Sequence, residues 1–249
     1  MKRFTSIVIT GASSGIGEAL ALDYAGPGIA LALNGRDAAR LDAVAAACRA
    51  EGATVDAAPI NVTDRDALGA WLVQFDSAHP VDCLIANAGL SIDKENSSLD
   101  DFSVVRHTFD VNVGGVFNTV EPLVGRLMAR RRGQIGMVSS LASFIGLPYS
   151  ASYNASKAAV RVWGESIRFP LKKHNVGVSV ICPGFVVSRM TAGTRFPMPF
   201  LMTSARASQI IRSGLARNKA RIAFPIGTKA AVWLGQALPG RWTARLMGA

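Results

Sequence analysis

The sequence predicts an α/β domain: a doubly wound parallel sheet with helices on both faces. Three observations predict it. Short apolar runs alternate along the chain with segments of helical periodicity. The runs are nearly unbroken by polar residues, as suits strands covered on both faces. The first run ends in a glycine-rich turn that leads directly into a helical pattern. With 249 residues, 49% of them apolar and 18% charged, the chain can bury one sizeable core and is too apolar to be mainly disordered. No repeat, low-complexity tract or linker divides it, so residues 1–249 read as a single domain.

The expected strands are 5–10, 29–34, 54–60, 83–86, 134–139 and 177–182, each short and apolar. Helices are expected at 15–25, 38–50, 65–75, 103–131 and 152–174, with a break in the fourth near Asn112–Gly115. Beyond Pro183 the pattern loosens. Residues 191–202 mix glycine, proline, methionine and phenylalanine, which reads as an adaptable apolar flap within a broader substrate-facing stretch at 190–220. Residues 204–216 read as a helix and 221–224 as a last strand. From 226 to 249 the chain is basic and amphipathic, with Trp233, Leu234, Ala237 and Leu238 along one helical face.

The formal charge of +10 is unevenly spread. No Asp or Glu follows Glu165, and residues 168–249 carry thirteen Lys and Arg. A solvated basic face is the simplest reading; a peripheral contact with an anionic membrane through Trp233, Leu234, Leu238 and Trp242 is the other. Nucleic acid is not expected, because no DNA- or RNA-binding motif accompanies the charge. Cys48, Cys83 and Cys182 are odd in number and sit in apolar runs, as buried thiols of a reducing compartment do. His79, His107 and His174 have no metal-ligand spacing, so no metal site is expected. Neither a signal peptide nor an apolar run of membrane-spanning length is found. The expectation is a cytoplasmic protein, at most peripheral to the inner face of a membrane.

Two stretches carry chemistry. In Thr10-Gly-Ala-Ser-Ser-Gly-Ile-Gly17, glycines at 11, 15 and 17 stand between a strand and a helix. Such a turn leaves backbone N–H groups free for a phosphate. Gly11–Gly15 also fits the Gly-x-Ser-x-Gly elbow of serine hydrolases, with Ser13 as nucleophile. Context disfavours that reading: no strands precede to build an oxyanion loop, and His174 falls in or at the end of a helix. In the second stretch Tyr153 and Lys157 stand four apart on a helix, so they project from one face. A phenol ionises near pH 10, and a fixed ammonium beside it favours the ionised form. A phosphate-binding turn and a tuned tyrosine together suggest redox chemistry with a dinucleotide.

Thr10–Gly17, Asn87-Ala88-Gly89, Asn112, Ser140, Tyr153-x-x-x-Lys157 and Pro183-Gly184 follow one another in the order and approximate spacing of the short-chain dehydrogenase/reductase family. Over roughly residues 5–190 the chain resembles its single-domain branch of about this length. The resemblance implies a Rossmann-type fold and interconversion of a carbonyl and a secondary alcohol. It implies that Asn112, Ser140, Tyr153 and Lys157 form the catalytic set. Tyr153 would be the general acid or base, Lys157 would lower its pKa and hold the nicotinamide ribose, and Ser140 would hydrogen-bond the substrate oxygen. Asn112 would fix a water leading from Lys157 to solvent.

For the cofactor it implies Gly11, Ser13, Ser14, Gly15, Ile16, Gly17, Asn61, Val62, Asn87, Ala88, Gly89, Pro183, Gly184, Val186 and Ser188, with Phe185 near the substrate. This chain departs from the family pattern at several points. Gly35-Arg36 stands where an NAD-binding relative carries a carboxylate; an arginine there would pair with a 2′-phosphate, so NADP(H) is expected over NAD(H). The glycine turn offers no second cation, Asn61 replaces an aspartate beside the adenine, and Ser188 replaces a threonine. The ending lacks the glycine-rich strand with which relatives build tetramers, so a homodimer through the helices around 109–128 and 152–169 is expected instead. Phe185, Met190, Phe196, Met198, Phe200, Leu201 and Met202 favour a hydrophobic or lipid-like substrate. A non-catalytic NADP(H)-binding sensor or scaffold on the same fold is the alternative function.

Overall fold

The computed structural model describes residues 2–91, 100–146, 150–192 and 198–228. Its elements in chain order are β1 (Ser6–Thr10), α1 (Gly15–Tyr24), β2 (Ala30–Asn34), α2 (Ala38–Ala50), β3 (Thr54–Ala58), α3 (Arg65–Ala78) and β4 (Cys83–Ala86). There follow α4 (Phe102–Phe109), α5 (Gly115–Arg130), β5 (Gly133–Val138), α6 (Ala151–Lys172), β6 (Val176–Pro183), α7 (Ser204–Ala216) and β7 (Arg221–Phe224). All seven strands run parallel in one sheet of order β3-β2-β1-β4-β5-β6-β7. The order reverses between β1 and β4. Strands diverging there open a crevice at their carboxyl ends, the binding position of doubly wound sheets.

Alternate residues of the central strands feed two cores. Ile7 and Ile9 of β1 pack with α1, α2 and α7 on one face, while Val8 packs with α3, α5 and α6 on the other. The central strands β1, β2, β4, β5 and β6 are buried on both faces, which explains their unbroken apolar sequence. At the edge, β3 alternates between exposed and partly buried residues, and it ends at Ala58 rather than at Ile60. There the Asn34 side chain donates to the carbonyls of Ala58 and Ile60, closing the ladder.

Between α4 and α5 the helix widens into a π-turn at Asp110–Gly114, the irregularity expected near Asn112. Of the stretch read as a flap, residues 204–216 are α7, whose Ala207, Ile211 and Leu215 are fully buried in the core. Cys48, Cys83 and Cys182 are buried free thiols. Among the described residues no cluster of His, Cys, Asp or Glu is placed to hold a metal ion, and no helix is long and apolar enough to cross a membrane. Phe196 and the tail residues Trp233, Leu234, Ala237, Leu238 and Trp242 lie outside the described residues.

Candidate active site

The turn after β1 shows why its glycines are needed. Gly11 and Gly15 have φ of +65° and +61°, the left-handed region that side chains disfavour. A Cβ on Gly15 would stand 3.0 Å from that of Ser188, which closes the turn from the far side. Gly17 serves packing instead. It is buried, does not line the crevice, and a Cβ there would meet the Gly11 carbonyl oxygen at 2.2 Å. Ser14 is the N-cap of α1 but makes no side-chain cap, so the first-turn N–H groups have no side-chain acceptor.

Asn87 braces this turn from β4. Its side chain donates to the carbonyls of Thr10 and Gly11, at 2.9 and 3.1 Å. The N–H groups of Asn87 and Ala88 both donate to the Thr10 hydroxyl. Thr10 is thus a structural residue that its place ahead of the first glycine did not reveal.

At the crevice's other end, Ser140 begins a 3₁₀ turn, Leu141–Phe144, after β5. Its hydroxyl oxygen accepts from the Ala142 N–H at 3.1 Å, leaving the hydroxyl hydrogen to donate elsewhere. Tyr153 and Lys157 lie on α6 with the ammonium 5.8 Å from the phenol ring centre. Lys157 is 3% exposed, and its Nζ donates to the Val138 carbonyl at 2.9 Å. Burial pushes its pKa down to about 8.

Asn112 is fully buried and does not line the crevice. The π-turn aims its side chain at Leu90, where it accepts from the N–H at 2.8 Å and donates to the carbonyl at 2.9 Å. It also donates to the Ser156 hydroxyl at 3.0 Å, which in turn donates to the Tyr153 carbonyl. Asn112 therefore ties the loop after β4 to the helix that carries the tyrosine and lysine. Ser156, a residue sequence reasoning missed, is the middle of that chain; its place one position before Lys157 was the available signal.

These two ends share one crevice of about 820 Å³. Gly11, Ser13, Ser14, Gly15, Ile16, Arg36, Val62, Asn87, Ala88 and Gly89 line it towards the glycine turn. Ser140, Tyr153, Lys157, Pro183, Gly184, Phe185, Val186 and Ser188 line it towards the 3₁₀ turn and the loop after β6. Asn61 is exposed and outside the lining; its side-chain amide oxygen accepts from the Thr63 N–H. None of the three histidines lines the crevice, which leaves Ser13 without the base a hydrolase requires.

Sequence reasoning also missed Asn34, Arg40, Thr191 and Thr228. Arg40 stands four residues after Arg36, a spacing that could have found it. Thr191 donates to the Val186 carbonyl and accepts from the Ser188 N–H, shaping the loop beside the glycine turn. Thr228 follows β7 with a buried hydroxyl that has no partner among the described residues.

The lining fits an anionic dinucleotide. Among the described residues it holds Arg36, Arg40, Lys157 and Arg189 against a single carboxylate, Asp37. Asp37 is already engaged, accepting from the Arg40 N–H as N-cap of α2 and pairing with the Arg40 guanidinium at 2.8 Å. Arg36 is exposed and, among the described residues, pairs with no carboxylate. The Asn34 side-chain amide oxygen, buried at the same end, has no partner among the described residues.

Comparison with known proteins agrees with this geometry. A family model described as short chain dehydrogenase matches residues 5–197. An uncharacterized oxidoreductase of Myxococcus xanthus is 36% identical over 237 residues, spanning 95% of this chain and 93% of its own. A 3-oxoacyl-acyl-carrier-protein reductase of Staphylococcus aureus is 32% identical over 198 residues, 77% of this chain and 78% of the relative. Among solved structures, a short-chain dehydrogenase from Sphingobium yanoikuyae in complex with NADPH has a TM-score of 0.82 at 25% identity, covering 97% of this chain and 95% of that one. Another, from Mycobacterium paratuberculosis and bound to NAD, has a TM-score of 0.81 at 24% identity, covering 91% of this chain and 98% of that one. The chain belongs to the short-chain dehydrogenase family of oxidoreductases.

Proposed function

We propose that the protein is an NADP(H)-dependent oxidoreductase interconverting a carbonyl and a secondary alcohol on an apolar small molecule. One observation carries the reading: a single crevice is lined both by the glycine turn and Arg36, which pairs with no carboxylate among the described residues, and by Ser140, Tyr153 and Lys157. Solved relatives hold NAD or NADPH, so the preference rests on the end of β2. An exposed guanidinium with no carboxylate partner among the described residues suits a 2′-phosphate, while Arg40, one helical turn on, is paired with Asp37 and keeps that carboxylate from opposing the phosphate.

The nicotinamide supplies or accepts the hydride when the cofactor is bound. The chain's own residues handle charge and protons. Reduction builds negative charge on the substrate oxygen; the Ser140 hydroxyl donates to that oxygen and the Tyr153 phenol gives it a proton. In oxidation Tyr153 takes the proton back. The Lys157 ammonium favours the phenolate through charge. Asn112 acts by holding α6 and the loop after β4 in register, since its side chain is spent on Leu90 and Ser156.

At the substrate end Leu141, Ile145, Phe185 and Met190 join the lining, which favours a hydrophobic carbonyl over a sugar. Fluorescence titration with NADPH and NADH tests the reading. The wild type should bind NADPH more tightly, and Arg36→Ala should weaken NADPH by about tenfold or more while sparing NADH. An unchanged ratio would remove the cofactor assignment.

A further inference from the structure

The substrate end of the crevice is rimmed by exposed apolar side chains. Val187, Met190, Phe200, Leu201 and Ile226 are 50, 42, 62, 47 and 82% exposed. They form one patch. Val186 bridges to Met202 in parallel, with the Val187 N–H donating to the Met202 carbonyl, a register that sets Leu201 opposite Phe185 and puts Val187 one pair further along the same face. The Phe200 ring stands where a Cβ on Gly227 would fall, 2.7 Å away, which puts it next to Ile226. Phe200 also has φ of +59°, a left-handed conformation that a bulky side chain adopts at a cost. Its ring is held outward against backbone preference, at a rim rather than in a core.

The patch falls entirely in the part of the chain that has no acidic residue. Arg189 and Arg206 flank it; both are exposed, and neither pairs with a carboxylate among the described residues. The other cations described in this third are partly used elsewhere, Arg212 with Asp23 and Arg221 with Glu165. Protruding phenylalanine, leucine and isoleucine flanked by two arginines that meet no carboxylate among the described residues complement a surface that is anionic outside and apolar just beneath.

We infer that this rim seats on an anionic lipid bilayer, with the crevice mouth facing the acyl region. Phe200, Leu201 and Ile226 enter the headgroup boundary while Arg189 and Arg206 meet lipid phosphates. The contact deepens the function proposed above, because it gives an apolar carbonyl or alcohol a source: a molecule dissolved in the membrane reaches Tyr153 without crossing water.

The test is cosedimentation of the full chain with vesicles of phosphatidylcholine alone or mixed with phosphatidylglycerol. The wild type should bind the mixed vesicles, weakly bind the neutral ones, and be released by added salt. The double variant Phe200→Asp, Leu201→Asp should lose binding by about tenfold or more, and Arg189→Gln, Arg206→Gln should lose the preference for anionic lipid. Thermal unfolding shows that both variants are folded. NADPH titration of the Phe200→Asp, Leu201→Asp variant, whose two sites lie outside the crevice lining, reports on the cofactor reading independently, whereas Arg189 lines the crevice and its variant is judged by unfolding alone. Failure of the wild type to bind mixed vesicles, or equal binding by the Phe200/Leu201 variant, would overturn the inference. So would dissociation of an oligomer by that variant, which would assign the rim to a second copy of the chain.

Discussion

Two side chains at the crevice test the proposed chemistry separately. Tyr153→Phe removes only the hydroxyl, so NADPH affinity should persist while turnover falls by about a hundredfold or more. Retained turnover would sink the proton-transfer role. Lys157 has a signature that needs no substrate. Its pKa in the folded chain is about 8 rather than its ordinary 10.5, because it is buried. Between those values the unfolded chain holds the proton that the folded chain has released. Stability therefore rises as pH rises from about 8 to 10.5, and the penalty is fully present below the folded pKa. Denaturant unfolding of wild type and Lys157→Met across that range should show the extra slope only in the wild type; parallel curves would mean the ammonium carries no such burden. The motif residues were legible because their spacing is a local property. The uses of Thr10 and Ser156 were not, since each depends on a partner distant in sequence, Asn87 and Asn112 respectively.

Elements are held in place by contacts that short-range patterns do not encode. Helix α1 docks so closely on the turn before it that Gly17 has no room for a methyl group. Gly17→Ala should cost about 2 kcal/mol or more in unfolding free energy and weaken cofactor binding with it. On the opposite face, Asp76 of α3 has a fully buried side chain facing two arginines of α5, with Arg130 at 2.6 Å. Burial alone would raise its pKa; the hydrogen bonds from Arg130, Arg126 and the Val81 N–H outweigh that and hold it below the usual carboxylate range. Asp76→Ala should destabilise by about 2 to 3 kcal/mol, less than for a fully buried pair because both arginines are partly exposed. Thermal or urea unfolding measures both losses. Helix and strand positions were readable from periodicity for the buried elements. The limits of β3 were not, because an edge strand lacks the two-sided burial that makes an apolar run, and its end is set by a side chain of β2.

At the scale of the molecule, the helices α5 and α6 present Phe117, Val162 and Phe169 to solvent at 39, 52 and 76% exposure. The Phe117 ring meets Trp163 edge-on at 4.7 Å, joining the two helices into one apolar face. A homodimer through this face is the assembly we expect. Val162→Asp with Phe169→Asp should shift the protein to monomer in light scattering while leaving NADPH affinity intact. Doubly wound topology was legible in the alternation of elements, and α7 in its helical pattern, but the stretch 190–220 as a whole suggested a substrate-facing segment rather than part of the core. The helix itself was legible at 204–216, but its docking through Ala207, Ile211 and Leu215 against α1 and the sheet is a tertiary fact. The way the crevice walls are attached has an evolutionary meaning. Its proton-handling wall is cross-braced through Asn112, Ser156 and Lys157, whereas residues 185–187 and 202 join through one isolated bridge made of two backbone hydrogen bonds. A lineage could exchange that lightly hinged wall for another and retarget the enzyme to new molecules, while the braced wall passed unchanged from ancestor to descendant.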